Sequence, residues 1–100
     1  MHCYVWEFHV RPEHIRAFEA GYGAEGEWGA LFRNHPGWVR TELVRDAGLP
    51  TRFLTIDYWK SREALESFRK EFQMELEALD VKFETLTSSE TFLGAFDVIR

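Results

Sequence analysis

The feature that most constrains the fold is residues 52–68, where the spacing of apolar side chains changes from strand period to helical period. Residues 52–59 alternate as in a strand, with Phe53, Thr55, Asp57 and Trp59 on one face and Leu54, Ile56 and Tyr58 on the other. Ser61 then suits a helix N-cap, and apolar residues follow at helical spacing, namely Leu65, Phe68, Phe72, Leu76 and Leu79. We therefore expect a strand that is covered on both faces and ends at Trp59, followed by a helix over residues 61–79.

The same two periods predict the other elements. Strands are expected over residues 2–10, 38–45 and 90–99, with a break at 87–89 before the last one and with Phe92 and Phe96 on one face of it. Residues 12–34 have helical spacing that is interrupted by three glycines, which predicts either one kinked helix or two helices. Beyond residue 79, Asp80 is expected to cap one more short turn.

The order strand, helix, strand, strand, helix, strand is that of the ferredoxin-like split βαβ pattern. It predicts one α+β domain over residues 1–100, with an antiparallel sheet and both helices on one face. Every strand nevertheless carries apolar residues on both faces, so the other face of the sheet would be an uncovered apolar surface. We expect a second copy of the chain to cover it in a two-fold homodimer.

Composition excludes several other classes of protein. A hydrophobic fraction of 45%, including 16% aromatic residues, is far from that of a disordered chain and suits a rich core, a ligand cavity or a subunit interface. The formal net charge of -5 argues against nucleic acid and anionic membranes as partners. No apolar run approaches the roughly 18 residues of a membrane span, and the N-terminus lacks the form of a signal peptide, so we expect a cytoplasmic protein.

Metal binding is not expected. Cys3 is the only cysteine, which excludes an internal disulfide and a thiolate-rich metal site. Among the histidines, only His9 and His14 have a spacing close to that of metal ligands, and they lie on either side of a strand end and Pro12. We expect neither a metal nor a cofactor.

Several short stretches resemble one protein family. They are residues 54–61 (LTIDYWKS), Pro12 with Glu13, Pro36 with Gly37 before a strand, and the closing Glu90, Gly94 and Phe96. Together with the order of elements, they resemble the antibiotic biosynthesis monooxygenase family of the dimeric α/β-barrel superfamily. The resemblance implies a homodimer with a cavity between sheet and helices in each subunit. It also implies oxidation of aromatic polyketides by O2 without a cofactor, with Trp59 lining the cavity.

Two other activities of that family have recognisable residues. Haem-degrading relatives supply an axial His from the second long helix, whereas residues 61–79 contain no His. Parts of the family use an Asn–Trp pair in catalysis, and the only Asn here is Asn34, in the loop after the first helical segment. We therefore rank a monooxygenase-like protein that acts on or binds a small aromatic molecule first. A non-catalytic homodimer that binds a ligand or is structural comes second, and haem binding third.

Cofactor-free oxygenation needs a base that generates a carbanion, a polar group that holds the developing oxyanion, and a dry cavity. The candidates for catalysis are Trp59, Asp57 and His9. The candidates for substrate binding are the aromatic residues Tyr22, Trp28, Trp6, Phe68 and Phe72, with Tyr4 beside them. Aromatic side chains suit a flat aromatic substrate, and they suit a plain hydrophobic core equally well.

Asp57 lies in the middle of a strand, between Thr55 and Trp59 on a face that also carries Phe53. An unpaired carboxylate at such a position costs several kcal/mol. One interpretation pairs it with Arg40 or Arg45 on the neighbouring strand. The other makes it a base with a raised pKa. Charged residues of the following helix are expected to form a solvated exterior; they are Glu63, Glu66, Arg69, Lys70, Glu71, Glu75 and Glu77.

Overall fold

Four strands form one antiparallel sheet in the computed structural model, which describes residues 1–99. The strands are β1 (His2–Val10), β2 (Trp38–Arg45), β3 (Arg52–Trp59) and β4 (Thr87–Asp97). Their order across the sheet is β2-β3-β1-β4, and each neighbouring pair is antiparallel. This arrangement is the ferredoxin-like α+β fold, which confirms the predicted fold class, and the bounds of β1, β2 and β3 are those expected.

The helices are α1 (Ile15–Tyr22), α2 (Glu27–Phe32), α3 (Arg62–Glu71) and α4 (Gln73–Phe83), with short 3-10 turns at Pro12–His14 and Glu84–Leu86. The glycine-interrupted segment therefore forms two helices, which is the second of the two predicted alternatives. The start of α3 follows the sequence signals, because Ser61 Oγ accepts a hydrogen bond from the Ala64 backbone N–H at 3.1 Å. No helix within residues 1–99 is long and apolar enough to cross a membrane.

The expectation of one helix over residues 61–79 was wrong, because the helix is interrupted at Phe72. The φ of -110° and ψ of 26° at Phe72 lie outside the helical region. Asp80 accordingly lies inside α4 and does not cap a separate turn. The Phe72 N–H still donates to the Phe68 carbonyl at 2.9 Å, and the Leu76 N–H donates to the Phe72 carbonyl at 2.9 Å. Apolar residues therefore keep helical spacing across the interruption, so the periodicity of the sequence does not reveal it.

The last strand also differs from expectation. It begins at Thr87, where a break was predicted, and it contains a bulge opposite the step from Val5 to Trp6. Phe92 lies opposite Trp6 while Phe96 lies opposite Cys3, so the two phenylalanines face opposite sides of the sheet rather than the same side. Gly94 follows the bulge with a φ of 154°, a backbone conformation that favours glycine.

All four helices bury side chains against one face of the sheet, which we call the helix-side face. Two clusters of buried residues form the core there: Phe8, Val10, Phe18, Tyr22, Phe53 and Phe83 make the first, and Phe32, Trp59, Leu65 and Phe68 make the second. Trp28 packs against both clusters. The core therefore lies between the sheet and the helices, with aromatic rings supplying most of its area.

The opposite side of the sheet, which we call the reverse face, is also rich in apolar residues. On β1 and β3 it carries Cys3, Val5, Leu54, Ile56 and Tyr58, which are buried or half-buried. Towards the sheet edges, Val44 is 39% exposed and Phe96 is 50% exposed. The expectation that apolar residues occupy both faces of β3 is thus met in the structure.

Candidate functional site

A large cleft lies between the helix-side face and the helices, with a volume of about 1030 Å³. Its sheet side is formed by Tyr4, Trp6 and Phe8 of β1 and by Thr55, Asp57 and Trp59 of β3. The helices contribute aromatic and aliphatic residues that include Tyr22, Trp28, Phe32, Leu65, Phe68 and Leu76. This volume is at the upper end of the range for small-molecule sites. Aromatic and aliphatic residues form part of the lining, and polar and charged residues, among them Asp57, Arg69 and Glu90, form about half of it.

Asp57 is the carboxylate at the centre of the sheet side of the cleft. Thr41 Oγ1 donates a hydrogen bond to Asp57 Oδ1 at 2.9 Å, and Trp38 Nε1 donates to Thr41 Oγ1 at 3.2 Å. An indole N–H can only donate, so the Thr41 oxygen accepts from Trp38 and its own proton is directed at the carboxylate. The chain of donors from Trp38 through Thr41 therefore holds Asp57 in one orientation.

Burial raises the pKa of Asp57 to about 6, and the hydrogen bond from Thr41 opposes part of this rise. The predicted pairing with an arginine was wrong. The Arg40 guanidinium lies 4.0 Å from the centre of the Tyr58 ring, and Arg45 lies 3.8 Å from Glu19. Within residues 1–99, Asp57 has no salt-bridge partner, so it faces the cleft as an uncompensated carboxylate.

Replacing Thr41 with valine is expected to raise the pKa of Asp57 above about 6. The hydroxyl stabilises the ionised carboxylate, and losing one such hydrogen bond corresponds to roughly one pKa unit. A pH titration of the Asp57 carboxyl carbon by NMR measures the change directly. Thr91→Val, at an exposed position on β4, is the matched control and should leave the titration unchanged. An Asp57 pKa that is the same in Thr41→Val as in the original protein would contradict this assignment.

Arg69 is a positively charged residue of the cleft wall. Its guanidinium donates a hydrogen bond to the Tyr4 hydroxyl and lies 5.4 Å from the centre of the Tyr4 ring. Tyr4 lies directly opposite Asp57 in the pairing of β1 with β3. Lys70 also lines the cleft. Cations on the cleft wall can stabilise a negative charge that develops on a bound molecule.

Trp59 is 1% exposed and forms part of both the core and the cleft wall. Its ring centre lies 4.9 Å from that of Phe68 and 5.8 Å from that of Phe32. The indole N–H groups of Trp59 and Trp28 are buried and have no acceptor within residues 1–99. A buried donor without a partner costs about 1 to 3 kcal/mol, and such groups are uncommon in folded proteins.

The structure brings most of the sequence-predicted site residues together and leaves two out. Trp6, Tyr22, Trp28 and Phe68 line the same cleft as Asp57 and Trp59, and so does Tyr4. Phe72 does not line the cleft, but it stacks on the lining residue Phe68 with ring centres 5.0 Å apart. His9 lies on the reverse face, 3.8 Å from Glu7, and is separated from Asp57 by the sheet.

Sequence reasoning did not assign several polar residues to the cleft, among them Thr41, Asp80 and Glu90. It also assigned Arg69 to a solvated exterior. Glu63, Glu66, Arg69, Lys70 and Glu77 are indeed exposed, but all five line the cleft as well, so that assignment was incomplete. The register of β2 against β3 is the signal that would have identified Thr41, because it sets Thr41 opposite Asp57.

Side chains that could bind a metal ion do not cluster in the described part of the chain. Within residues 1–99, no three side chains of His, Cys, Asp or Glu are arranged so that they could hold a metal ion together.

Comparison with known proteins identifies the family. The family model for antibiotic biosynthesis monooxygenases matches residues 1–75, and no curated protein matches the chain. Among solved structures, a protein from Bordetella bronchiseptica assigned to these monooxygenases is similar with a TM-score of 0.79 at 16% identity, with 99% of this chain and 97% of that chain covered. A protein from Nitrosomonas europaea with the same assignment has a TM-score of 0.74 at 14% identity, with both chains fully covered at 100%.

A third similar structure is SnoaB, a cofactor-independent oxygenase from Streptomyces nogalater, with a TM-score of 0.70 at 20% identity and coverage of 99% of this chain and 93% of that chain. At these identities the solved structures establish a shared fold. The family model covers 75 of the 100 residues, and on that ground the protein belongs to the antibiotic biosynthesis monooxygenase family.

Proposed function

We propose that the protein is a cofactor-independent monooxygenase that oxidises a small aromatic molecule in the cleft, with Asp57 as the general base. The observation that carries the proposal is an uncompensated carboxylate with a pKa of about 6 in a cleft lined by aromatic rings. Membership of the family and a fold shared with the oxygenase SnoaB support it.

Asp57 would remove the proton that starts the reaction. With a pKa of about 6 it is ionised at neutral pH, and it is a stronger base than an aspartate with the ordinary value of 3.8. A suitable substrate has an acidic CH2 group between two aromatic rings that are conjugated with a carbonyl group, as in a hydroxylated anthrone. The charge of the resulting carbanion spreads onto the carbonyl oxygen, where Arg69 and Lys70 would stabilise it.

The oxygen step needs no further reductant. The carbanion reduces O2 and joins it, which forms a C–O bond and a peroxide that takes up one proton. Loss of the second C–H proton then breaks the O–O bond, giving a carbonyl group and hydroxide, which becomes water on protonation. The sum is CH2 plus O2 to C=O plus H2O, so electrons and atoms balance within substrate and oxygen. Aromatic walls would keep water away from the carbanion.

Oxygen consumption tests the proposal. The purified protein should consume one O2 for each molecule of a hydroxylated anthrone converted, and labelled O2 should place one oxygen atom in the product and one in water. Because Asp57 must be ionised, kcat/KM should fall about tenfold per unit as the pH drops below about 6. Binding of these compounds without oxygen uptake would overturn oxygenation and support the alternative, a non-catalytic ligand-binding protein.

We further propose that two copies of the chain associate through their reverse faces as a homodimer. The motivation is the apolar surface around Val5, Leu54 and Ile56, together with exposed Phe96. A contiguous apolar face of this kind is uncommon on monomeric proteins. An interface through it would be isologous, with the same residues contributed by each copy.

Placing an arginine at Ile56 is expected to convert the dimer to a monomer, because the charge would be buried without a partner at the centre of the interface. Sedimentation equilibrium at micromolar concentration gives the mass, which should be twice that of the chain for the original protein and equal to it for Ile56→Arg. Met74→Arg is the control, since Met74 is 80% exposed on α4. A monomeric original protein would refute the homodimer.

A further inference from the structure

The part of the cleft that Tyr22 lines has a different set of polar groups from the part around Asp57. Tyr22 is 7% exposed, and its ring stacks on Phe18 with centres 4.2 Å apart. Tyr22 lines the cleft, yet its hydroxyl forms no hydrogen bond with any group in residues 1–99. The Trp28 indole N–H lies beside this hydroxyl but does not reach it with hydrogen-bond geometry. The Tyr22 side chain is therefore largely buried, but its hydroxyl opens onto the cleft and can bond to a molecule there.

Two carboxylates face the cleft in the same region. Asp80 comes from α4 and Glu90 from β4. Partial burial and then the charge of Asp80 raise the pKa of Glu90. Partial burial and then the charge of Glu77 raise the pKa of Asp80. Burial raises the pKa of Tyr22, and the charges of Glu90 and Asp80 add to the rise. Glu90 lies opposite Phe8 in the sheet, the ring centres of Phe8 and Tyr22 are 5.1 Å apart, and Asp80 lines the same cleft, so the three groups are close enough to interact electrostatically.

No cation in the described part of the chain neutralises this pair. Neither Asp80 nor Glu90 forms a salt bridge within residues 1–99, and the nearby Lys82 is bonded to Glu27. Two like charges beside an unused hydroxyl are unfavourable in the empty protein, and a bound cation would relieve the repulsion. An ammonium group suits this region because it donates three hydrogen bonds, two of which can go to carboxylates and one to the Tyr22 oxygen.

The strand register separates the two charged regions. Asp57 lies opposite Tyr4 and Glu90 lies opposite Phe8, so the two acidic positions are four residues apart along β1. At the rise of a strand, this is about 13 Å. Arg69 bonds to Tyr4 at the Asp57 end, and Glu90, with Asp80 beside it, lies at the other. The cleft is therefore long, and the Asp80–Glu90 pair lies at the end away from Asp57.

We infer that Tyr22, Asp80 and Glu90 form a subsite for a protonated amine, so that the protein takes elongated aromatic molecules that carry a basic amine. As a statement about the substrate, this rests on the proposed oxygenase function. The aromatic part lies against Trp6 with its reacting group at Asp57, and the ammonium group lies between the two carboxylates. The aromatic face of Tyr22 adds to the attraction for a cation.

Calorimetric titration at pH 7 with two probes of the same shape tests the subsite. The probes are 2-naphthylmethylamine, which is protonated at this pH, and 2-naphthalenemethanol, which is neutral. The amine should bind roughly tenfold more tightly than the alcohol, as expected for charge-assisted hydrogen bonds. In the double variant Asp80→Asn with Glu90→Gln the ratio should fall to about one, while the affinity for the alcohol stays the same. Tyr22→Phe should reduce the ratio partially.

Glu84→Gln is the matched control, because Glu84 is exposed and lies outside the cleft. It changes the net charge by the same amount as each single neutralisation and should preserve the tenfold ratio. Equal binding of the two probes, no binding of either probe, or a ratio that survives in the double variant would overturn the subsite. Amine selectivity without oxygen uptake would leave the subsite standing and refute the oxygenase, and oxygen uptake without amine selectivity would do the reverse.

Discussion

Replacing Asp57 with asparagine is expected to abolish oxygen uptake and, at neutral pH, to make the folded protein more stable. Asparagine cannot take up the proton, so kcat should fall by at least about 100-fold. Its side-chain oxygen can still accept the hydrogen bond from Thr41, so the local structure is retained. A residue whose removal improves stability and destroys activity is kept for its chemistry.

The gain in stability follows from the raised pKa. Asp57 has a pKa of about 6 in the folded protein against 3.8 ordinarily, so ionised Asp57 costs the folded state up to about 3 kcal/mol at pH 7. The cost is absent below pH 3.8, grows as the pH rises from there to about 6, and is constant above. Urea unfolding should therefore find Asp57→Asn more stable at pH 7 and nearly equal to the original protein at pH 3.8.

Asp46→Asn is a control with the opposite sign. The Asp46 carboxylate accepts hydrogen bonds from the Gly48 N–H at 2.7 Å and from Arg52 at 3.0 Å, and these lower its pKa. Its stabilising contribution is present at neutral pH and is lost as the pH falls through its lowered pKa, so this substitution should destabilise the protein at pH 7. If Asp57→Asn were also destabilising at pH 7, Asp57 would have to be a structural residue.

Replacing Trp59 with alanine is expected to lower the free energy of unfolding by about 3 to 5 kcal/mol, which is the usual cost of deleting a fully buried aromatic side chain. Trp59 is 1% exposed and packs against Phe32, Leu65 and Phe68, so no solvent-facing group can refill the space. Denaturant unfolding followed by far-UV circular dichroism measures the change. Met74→Ala, at a position 80% exposed, should cost almost nothing.

Trp59→Phe separates the structural role of this residue from a role in the cleft. Phenylalanine keeps an aromatic contact with Phe68 and removes the buried N–H that has no acceptor in residues 1–99, so we expect a loss well below that of the alanine variant. Oxygenase activity that falls in Trp59→Phe while stability is retained would assign the indole a function in binding. Unchanged activity would make Trp59 a core residue that happens to border the cleft.

Periodicity in the chain predicted the order of the elements and the fold class, although not the interruption at Phe72. The alternation over residues 52–59, the Ser61 cap and the helical spacing that follows are local properties, and each is visible in a short window of sequence. Because a side chain on a strand alternates between faces, Asp57 and Trp59 could be assigned to one face without coordinates. The resemblance of residues 54–61 and of the other short stretches, together with the order of elements, then led to the family that the family model identifies.

Contacts between distant parts of the chain could not be predicted from local periodicity. The β4 bulge moved Phe92 and Phe96 to opposite faces, and the β2 register gave Asp57 a threonine partner instead of an arginine. A bulge or a one-residue shift changes little in local propensity but reverses which face each side chain occupies, so apolar pattern cannot reveal it. Likewise, Asp80 and Glu90 come together in the cleft only because α4 packs on the face of the sheet where β4 pairs with β1, and no local sequence pattern predicts that proximity.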